Sequence, residues 1–297
     1  MNADETPRGS RFGYRIIGIF YRIFGYWFVA LFARFIVFYY YVFHRREVKS
    51  SIDFYRAMHP DADRSAWKKM AWNQFQSFTT VFLDRFLIES GRQDRFSLTH
   101  EGLESLTDAA KEQRPAILWM AHLGNWEVAV HCLKKYDVPI TLIIGKYAGE
   151  QVEALQRAQL EAGQVKVVIV QKERDMGVME VMKALRSGEL VAISGDRLFD
   201  EDQQHLNVSF MGHECRVPKG PYVLAGLSKA PLIPIFGIRV GKLAYRFVAL
   251  SPINVDLSKR SEREATMKAT AQECFDRLES MVRRYPEQWY NFFKYWD

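Results

Sequence analysis

Short apolar runs alternate with longer amphipathic stretches along the chain from Phe96 onward. The runs are too short for helices and are typical of buried strands. They lie at Ala116–Ala121, Ile140–Gly145, Val165–Val170 and Leu190–Gly195. The stretches between them have helical length and lie at Asn125–Lys135, Gly149–Ala162 and Asp175–Ser187. Strands and helices in alternation, with short connections, predict an α/β fold with a mostly parallel central sheet flanked by helices.

Further elements are predicted on both sides of this alternating region. Trp67, Phe75 and Phe82 recur at helical spacing, which predicts a helix over Ser65–Glu89 whose aromatic face packs into the core. Three later strands and a final helix are predicted at Leu206–Met211, Leu232–Val240, Ala244–Leu250 and Glu262–Arg284. The dipeptide at Gly241 is expected to join the last two strands as a hairpin.

The segment Phe12–Phe43 differs from the rest of the chain. It holds fifteen aromatic residues in 32 positions, and its only charges are Arg15, Arg22 and Arg34. Its longest charge-free stretch, Ile23–Ala33, is shorter than the ~20 apolar residues that a clean membrane span needs. No small-residue cleavage site follows the apolar part, so the segment is not typical of a cleavable signal peptide.

Three interpretations of this aromatic segment remain open. It is a single membrane anchor with snorkelling arginines, an interfacial helix at an anionic headgroup layer, or a helix buried against the protein's own core. The aromatic and basic composition favours membrane attachment. Arg45 and Arg46 follow the run and would mark its cytoplasmic side. We therefore expect a membrane-associated N-terminal helix at residues 1–48 and one α/β domain at residues 49–297.

The distribution of charge argues against a nucleic-acid partner. The net charge is +6, but seven arginines and no acid lie between Pro7 and Arg46, so the remaining chain is nearly neutral. A stripe that binds nucleic acid would lie on the folded domain among polar residues. The three cysteines, Cys132, Cys215 and Cys274, are far apart and form no CxxC pair, which favours a reducing compartment.

Several common catalytic motifs are missing from the sequence. It contains no GxGxxG, no GxxxxGK[ST] and no HExxH, so neither a nucleotide nor a catalytic metal is indicated. The nearest approach to a nucleophile elbow is Gly226–Ala230, with Ser228 at its centre. It ends in alanine and follows a predicted helix instead of a strand, so a serine nucleophile is poorly supported. We expect no metal site.

The strongest candidate chemistry lies in the stretch from Trp119 to Glu127. His122 falls at the carboxyl end of a predicted strand, where open α/β sheets bind their ligands. Glu127 begins the next predicted helix, and a tight bend at Gly124 would let its carboxylate reach the imidazole. A carboxylate on one ring nitrogen fixes the tautomer and makes the other nitrogen a better base. The alternative is a histidine that caps a strand end and a glutamate on a solvated helix.

The spacing His122-x4-Glu127 resembles the HX4(D/E) motif of the glycerolipid acyltransferase superfamily. The spelling His-Leu-Gly-Asn-Trp-Glu resembles, within that superfamily, the bacterial lipid A biosynthesis (lauroyl/myristoyl) acyltransferase family. Later blocks resemble that family in the same order, at Gly195–Arg197, Val208–Gly212, Pro218–Pro221, Ala230–Pro234 and Pro286–Tyr290. Two departures are present: Asn291–Lys294 differs from the usual Trp- and Arg-rich continuation, and Asp196 is followed by Arg197 where many members read Asp-Gln-Asp. The second departure bears on the substrate. This departure leaves the acyl acceptor open.

The resemblance implies an O-acyltransferase at the cytoplasmic face of the cell inner membrane. The donor would be an acyl thioester of acyl carrier protein or coenzyme A, and the acceptor a hydroxyl of a membrane lipid or glycolipid such as a lipid A precursor. His122 would be the general base and Glu127 its orienting partner, with no cofactor beyond the thioester cosubstrate. Substrate-binding candidates are Asn125, Arg174, Asp196 and Arg197.

Two questions stay open at this level. Asn125 either donates to the oxyanion or braces the His122–Glu127 pair, and Arg197 either binds a phosphate or forms a surface ion pair with Asp196. A second class of function, a non-catalytic membrane-tethered lipid-binding protein, is consistent with the same cleft. The His122–Glu127 spacing favours the enzyme.

Overall fold

The computed structural model describes residues 28, 31–89, 92–135, 138–145, 165–170, 176–198 and 202–296. The predicted helix Gly149–Ala162 lies outside the described residues, as do Arg174 and most of the aromatic segment Phe12–Phe43.

Three consecutive helices open the described chain: residues 31–43 (α1), Arg45–Met58 (α2) and Arg64–Glu89 (α3). Asp63 caps α3, because its Oδ1 accepts a hydrogen bond from the backbone N–H of Ala66 at 2.7 Å. The helix predicted over Ser65–Glu89 is confirmed, and it begins one residue earlier, at Arg64. Within the described ranges, no helix combines the length and the apolar composition needed to cross a bilayer. The domain division at residue 48 stays a prediction, and α2 runs across that position.

The strands, in chain order, are Ser97–Glu101 (β1), Ala116–Gly124 (β2), Ile140–Gly145 (β3), Lys166–Val170 (β4), Leu190–Ser194 (β5), His205–Phe210 (β6), His213–Pro218 (β7), Leu232–Gly241 (β8) and Ala244–Ala249 (β9). In the described part of the chain, seven of them form one sheet in the order β1-β9-β8-β2-β5-β3-β4, while β6 and β7 form a separate antiparallel pair. Within the large sheet only β8 and β9 run antiparallel, as the predicted hairpin requires. The predicted α/β class with a mostly parallel sheet is confirmed.

The later helices are Leu103–Lys111 (α4), Trp126–Lys135 (α5), Met176–Arg186 (α6), Gly220–Ser228 (α7) and Arg263–Arg284 (α8). Short 3-10 helices lie at Gln93–Arg95, Arg260–Glu262 and Pro286–Gln288. Helix α8 packs mainly on β6, so the β6–β7 pair is held against the body of the protein.

The central strands are buried on both faces, which explains their unbroken apolar runs. Along β2, Ile117 and Trp119 belong to the core cluster on one face, and Leu118 and Met120 belong to the cluster on the other. All four side chains are almost fully enclosed. Because successive side chains of a strand point to opposite faces, both faces must be covered by helices.

Two strands were not predicted from the sequence. β1 reads Ser-Leu-Thr-His-Glu and lies at the edge of the sheet, with four of its five residues exposed. β7 has three exposed and three buried residues, and in the described part of the chain it pairs only with β6. Neither has the continuous apolar run of a central strand, since neither is covered on both sides.

Candidate active site

An irregularity in β2 sets the position of His122. Next to β8, the pairing passes from Met120–Ile235 to Gly124–Gly237, so four steps along β2 match two along β8. The extra residues of β2 form a bulge that contains His122, and such bulges re-aim a side chain. The bulge ends at Gly124, whose φ of 72° is unfavourable for residues with a Cβ. A Cβ there would also collide with the carbonyl oxygen of Gly237.

The parallel register of β2 and β5 brings Asp196 beside His122. Met120 lies opposite Ser194, so His122 and Asp196 each lie two residues beyond a paired position. The backbone N–H of Gly195 continues the ladder by donating to the carbonyl of Met120 at 2.9 Å. Both side chains therefore meet at the carboxyl edge of the sheet, the place where α/β proteins of this type bind ligands.

His122 and Asp196 are joined by hydrogen bonds to two groups of the histidine. The backbone N–H of His122 donates to Asp196 Oδ2 at 2.9 Å, and Nδ1 lies 2.9 Å from both carboxylate oxygens. The hydroxyl of Ser194 donates to Oδ1 at 2.9 Å. The Asp196 side chain is 1% exposed, whereas that of His122 is 26% exposed. The pair thus has a buried carboxylate and an imidazole that solvent or substrate can reach.

The charge state of Asp196 fixes the tautomer of His122. Burial raises the pKa of Asp196, but the charge of His122, its hydrogen bonds and the charge of Arg197 lower it, and the resulting pKa is about 2. An ionised carboxylate only accepts hydrogen bonds, so Nδ1 of His122 carries the hydrogen. Nε2 of the neutral ring then has a free lone pair, which is the requirement for a general base.

The C-terminal segment fixes this pair from the other side. The backbone N–H of Tyr290 donates to the carbonyl of His122 at 2.9 Å, and Trp289 forms an isolated antiparallel bridge with Leu123. The hydroxyl of Tyr295 donates to the backbone carbonyl of Asp196. Residues more than ninety positions away from Asp196 therefore hold the backbone of both members of the pair.

Asn125 caps helix α5. Its Oδ1 accepts hydrogen bonds from the backbone N–H groups of Glu127 at 3.0 Å and Val128 at 3.4 Å. The backbone N–H of Asn125 donates to the carbonyl of Gly237 at 2.7 Å. Asn125 is buried and its Nδ2 has no hydrogen-bond partner. Capping thus accounts for one end of the carboxamide, and the role of the donor end toward the substrate stays a prediction.

The structure gives the positions of Glu127 and Arg197 but not that of Arg174. Glu127 is half-buried in the first turn of α5, and its pairing with His122 stays a prediction. The Arg197 guanidinium lies over the ring of Phe293, with Cζ 5.6 Å from the ring centroid. Arg174 is outside the described residues, so its substrate-binding role also stays a prediction.

The serine alternative finds no support in the geometry. Ser228 is the last residue of α7, and its hydroxyl donates to the carbonyl of Leu224 at 2.7 Å, within the same helix. A nucleophile elbow needs a sharp turn from a strand into a helix. Within the described ranges, no group of three or more histidine, cysteine, aspartate or glutamate side chains is arranged to hold a metal ion.

Sequence reasoning missed three residues that build the site: Ser194, Tyr290 and Tyr295. Ser194 precedes Asp196 by two positions at the end of an apolar run, a place where polar side chains point to the ligand edge. The two tyrosines lie in a dense aromatic stretch after α8. That density, and for Tyr290 its place in the family-like block Pro286–Tyr290, were the available signals.

A histidine held by a buried aspartate, at the carboxyl edge of a parallel sheet, defines an α/β protein with a candidate general base at its ligand-binding edge. Residues 14–297 match the family of bacterial lipid A biosynthesis acyltransferases. Because the match covers nearly the whole chain, the protein belongs to this family and is an acyltransferase of lipid A biosynthesis. The resemblance predicted from the HX4E spacing is confirmed. Among curated proteins, no match to the chain is found.

Proposed function

We propose that this acyltransferase moves a fatty acyl chain from an acyl thioester, carried by acyl carrier protein or coenzyme A, to a hydroxyl of a lipid or glycolipid such as a lipid A precursor. The observation that carries the proposal is the hydrogen bonding of His122 Nδ1 to the buried carboxylate of Asp196. It leaves Nε2 as an acceptor on a side chain that is 26% exposed. That arrangement suits removal of a proton from a hydroxyl group.

The proposed reaction is a direct transfer. His122 Nε2 takes the proton of the acceptor hydroxyl while the oxygen of that hydroxyl attacks the thioester carbonyl. The tetrahedral intermediate collapses by breaking the carbon–sulfur bond, and the imidazolium returns the proton to the departing thiolate. The charge of Asp196 stabilises the imidazolium between these steps. A thioester is already activated, so the proposal needs no acyl-enzyme, metal or resident cofactor.

The remaining candidates take supporting roles in this proposal. Glu127 supplies a second negative charge in the first turn of α5, near the bulge that carries His122, and favours the imidazolium. Asn125 holds that turn in place and offers Nδ2 as a donor to the oxyanion. Arg197 and Arg174 bind phosphate groups of the donor or the acceptor.

The proposed place of work is the cytoplasmic face of the cell inner membrane, with acyl carrier protein as a partner and no nucleic acid. This part rests on α1, where large apolar side chains face solvent at Leu31, Phe32, Phe35, Phe38, Tyr39 and Phe43. A patch of this kind on a basic, aromatic helix is typical of contact with a lipid surface. Both acyl substrates are anchored in the same bilayer surface or delivered to it.

Thioester consumption by purified protein, with mass spectrometry of the lipid product, tests the proposal. Loss of a general base typically costs about 10²–10⁴-fold in rate, so His122→Ala should fall at least a hundredfold. His205→Ala is the matched control, since His205 is exposed and bonds only a local carbonyl among the contacts described for it. Ser228→Ala should retain activity, because no covalent step is proposed.

Two results would contradict the proposal. If a folded His122→Ala protein kept a rate within threefold of wild type, His122 would not be the general base. Binding of lipid by the wild-type protein, with no thioester turnover under any donor, would instead support the non-catalytic lipid-binding alternative. Circular dichroism on each variant separates these results from misfolding.

A further inference from the structure

A cavity of about 420 Å³ lies between helix α2, the β6–β7 turn and the C-terminal segment. Four aromatic side chains contribute to its walls: Phe54 from α2 and Phe293, Tyr295 and Trp296 from the C-terminal segment. The rings are held by one another, since Phe54 and Trp296 stack with their centroids 6.5 Å apart. The indole N–H of Trp296 also donates to the carbonyl of Phe210 at 3.1 Å. The cavity therefore has preformed flat walls.

One residue of the cavity wall, Asn291, carries a buried polar atom without a hydrogen-bond partner. Asn291 is 5% exposed, and its Oδ1 makes no hydrogen bond. Buried polar side-chain atoms are nearly always satisfied, and an exception calls for a specific cause. An acceptor left unpaired at a cavity wall fits a ligand that brings a hydroxyl or N–H group.

The charges around the cavity are mostly positive. Of the ionised side chains that line it, two are cationic, Arg56 and Lys294, against the single carboxylate of Asp53. Asp53 Oδ1 lies 3.1 Å from Arg56 Nη2, which orients the guanidinium without neutralising Lys294. Two cations beside aromatic side chains are well suited to an anion, and phosphate is the anion that such donors bind most directly.

The cavity is connected to the His122–Asp196 pair through two of its walls. Tyr295 donates its hydroxyl hydrogen to the backbone carbonyl of Asp196. On the other side, Phe293 supports the guanidinium of Arg197. A ligand held in the cavity thus contacts the same segment that fixes the candidate base. Phe293 lies in that segment and contacts Arg197, which belongs to the loop after β5.

We propose that this cavity is a subsite for the phosphate-ester end of a substrate. Arg56 and Lys294 bind the phosphate, and Asn291 Oδ1 accepts a hydrogen bond from a neighbouring hydroxyl or amide N–H. This assignment rests on the proposed function, which supplies two sources of that chemistry. One is a phosphorylated sugar of the glycolipid acceptor, and the other is the phosphopantetheine arm of the thioester donor.

Calorimetric titration of the full chain with matched ligand pairs tests the subsite. The pairs are glucosamine 1-phosphate with glucosamine, and 4′-phosphopantetheine with pantetheine. We expect one phosphorylated member to bind at least tenfold more tightly than its unphosphorylated partner. Preference for glucosamine 1-phosphate assigns the cavity to the acceptor, and preference for phosphopantetheine assigns it to the donor. If neither phosphate ester gains affinity over its partner, the proposal is overturned.

Variants locate the binding in the cavity. Lys294→Gln and Arg56→Gln should each weaken the phosphate ester at least fivefold, whereas Lys268→Gln removes the same charge from an exposed position on α8 and should leave affinity unchanged. Asn291→Leu should weaken the preferred phosphate ester but not inorganic phosphate, which has no neighbouring donor group. Equal losses in Lys294→Gln and Lys268→Gln would overturn the assignment. Because Lys294 and Arg56 are exposed, this comparison stands even if Asn291→Leu fails to fold.

Thioester turnover measured on the same preparation separates this proposal from the function it rests on. Turnover without any preference for a phosphate ester overturns the cavity assignment and leaves the acyl transfer in place. Phosphate-ester binding that needs Lys294, without turnover, retains the subsite and overturns the proposed function.

Discussion

The carboxylate of Asp196 accepts hydrogen bonds from both the backbone N–H and the ring Nδ1 of His122. One side chain therefore fixes the position of the histidine's backbone and the tautomer of its ring. The contact is buried at its aspartate end, where a charge interaction is stronger than in water. This relationship makes Asp196 the carboxylate on which the orientation of the candidate base depends.

Asp196→Asn should reduce the acyl transfer rate at least a hundredfold. Asparagine keeps the shape, but it removes the charge that stabilises the imidazolium and replaces one accepting oxygen by an NH₂ group. The rate of thioester consumption should fall in kcat, with the donor KM little changed. Glu127→Gln gives the comparison, because it neutralises the other carboxylate of the site. A larger loss in Glu127→Gln than in Asp196→Asn would make Glu127 the principal partner of His122.

The pH dependence of stability should report the ionisation of Asp196. Its pKa of about 2 lies below the usual value for aspartate, so the folded state favours the ionised form. The resulting stabilisation, about 2 kcal/mol, is fully present above about pH 4 and is lost as the pH falls through 2. Urea denaturation at several pH values should show the difference between wild type and Asp196→Asn shrinking over this range. Exposed Asp61→Asn serves as the control, and a gap independent of pH would contradict the prediction.

Gly195→Ala should destabilise the protein and disturb the site together. A Cβ at Gly195 would collide with Nε1 of Trp119, which is fully enclosed by the core and has no space to move. Overpacking of this kind typically costs about 1–3 kcal/mol. Gly220→Ala is the matched control, because a Cβ there meets nothing within 4 Å. Equal melting temperatures for the two variants would contradict the prediction and show that the Trp119 side chain moves to make room for the added Cβ.

The sequence predicted the central strands well and the site only in part. The run Ile140–Gly145 forms β3 with the predicted bounds, and its first three residues are buried. β1 has no such run, because an edge strand needs few buried side chains. Asp196 was recognised as a site residue, but its contact with His122 depends on the pairing of β2 with β5. Along the chain, α5, β3, β4 and α6 lie between these two strands. The hydrophobic pattern of a single strand does not specify which other strand it pairs with.

Substitutions at Asn125 should separate its capping role from a role in the reaction. Loss of an N-cap typically costs about 1 kcal/mol, so Asn125→Ala should lower the free energy of unfolding by that amount. Asn125→Asp keeps the accepting oxygen for the N–H groups of Glu127 and Val128 and should retain stability. If Nδ2 donates to the oxyanion, kcat falls in both variants. Full activity in Asn125→Asp would show that Asn125 caps α5 and has no role in the reaction.

Membrane attachment through α1 should depend on its exposed aromatic side chains. Phe35 and Phe43 are 68% and 65% exposed, and burying a phenylalanine in an apolar phase is worth about 1.5–3 kcal/mol. The double variant Phe35→Ser/Phe43→Ser should therefore bind anionic vesicles at least tenfold more weakly in a sedimentation assay. Leu227→Ser, which removes an exposed apolar side chain from α7, should bind as wild type. Unchanged binding by the double variant would favour another mode of attachment.

The dependence of His122 and Asp196 on residues 289–296 has a consequence for biosynthesis. A ribosome makes the strands that carry the pair long before it makes Tyr290 and Tyr295, and a domain generally folds as a unit. During translation, the nascent chain thus holds the base and its carboxylate without the groups that fix their backbone. The candidate site reaches its final geometry only when this late segment docks, so acyl transfer by a partly synthesised chain is suppressed.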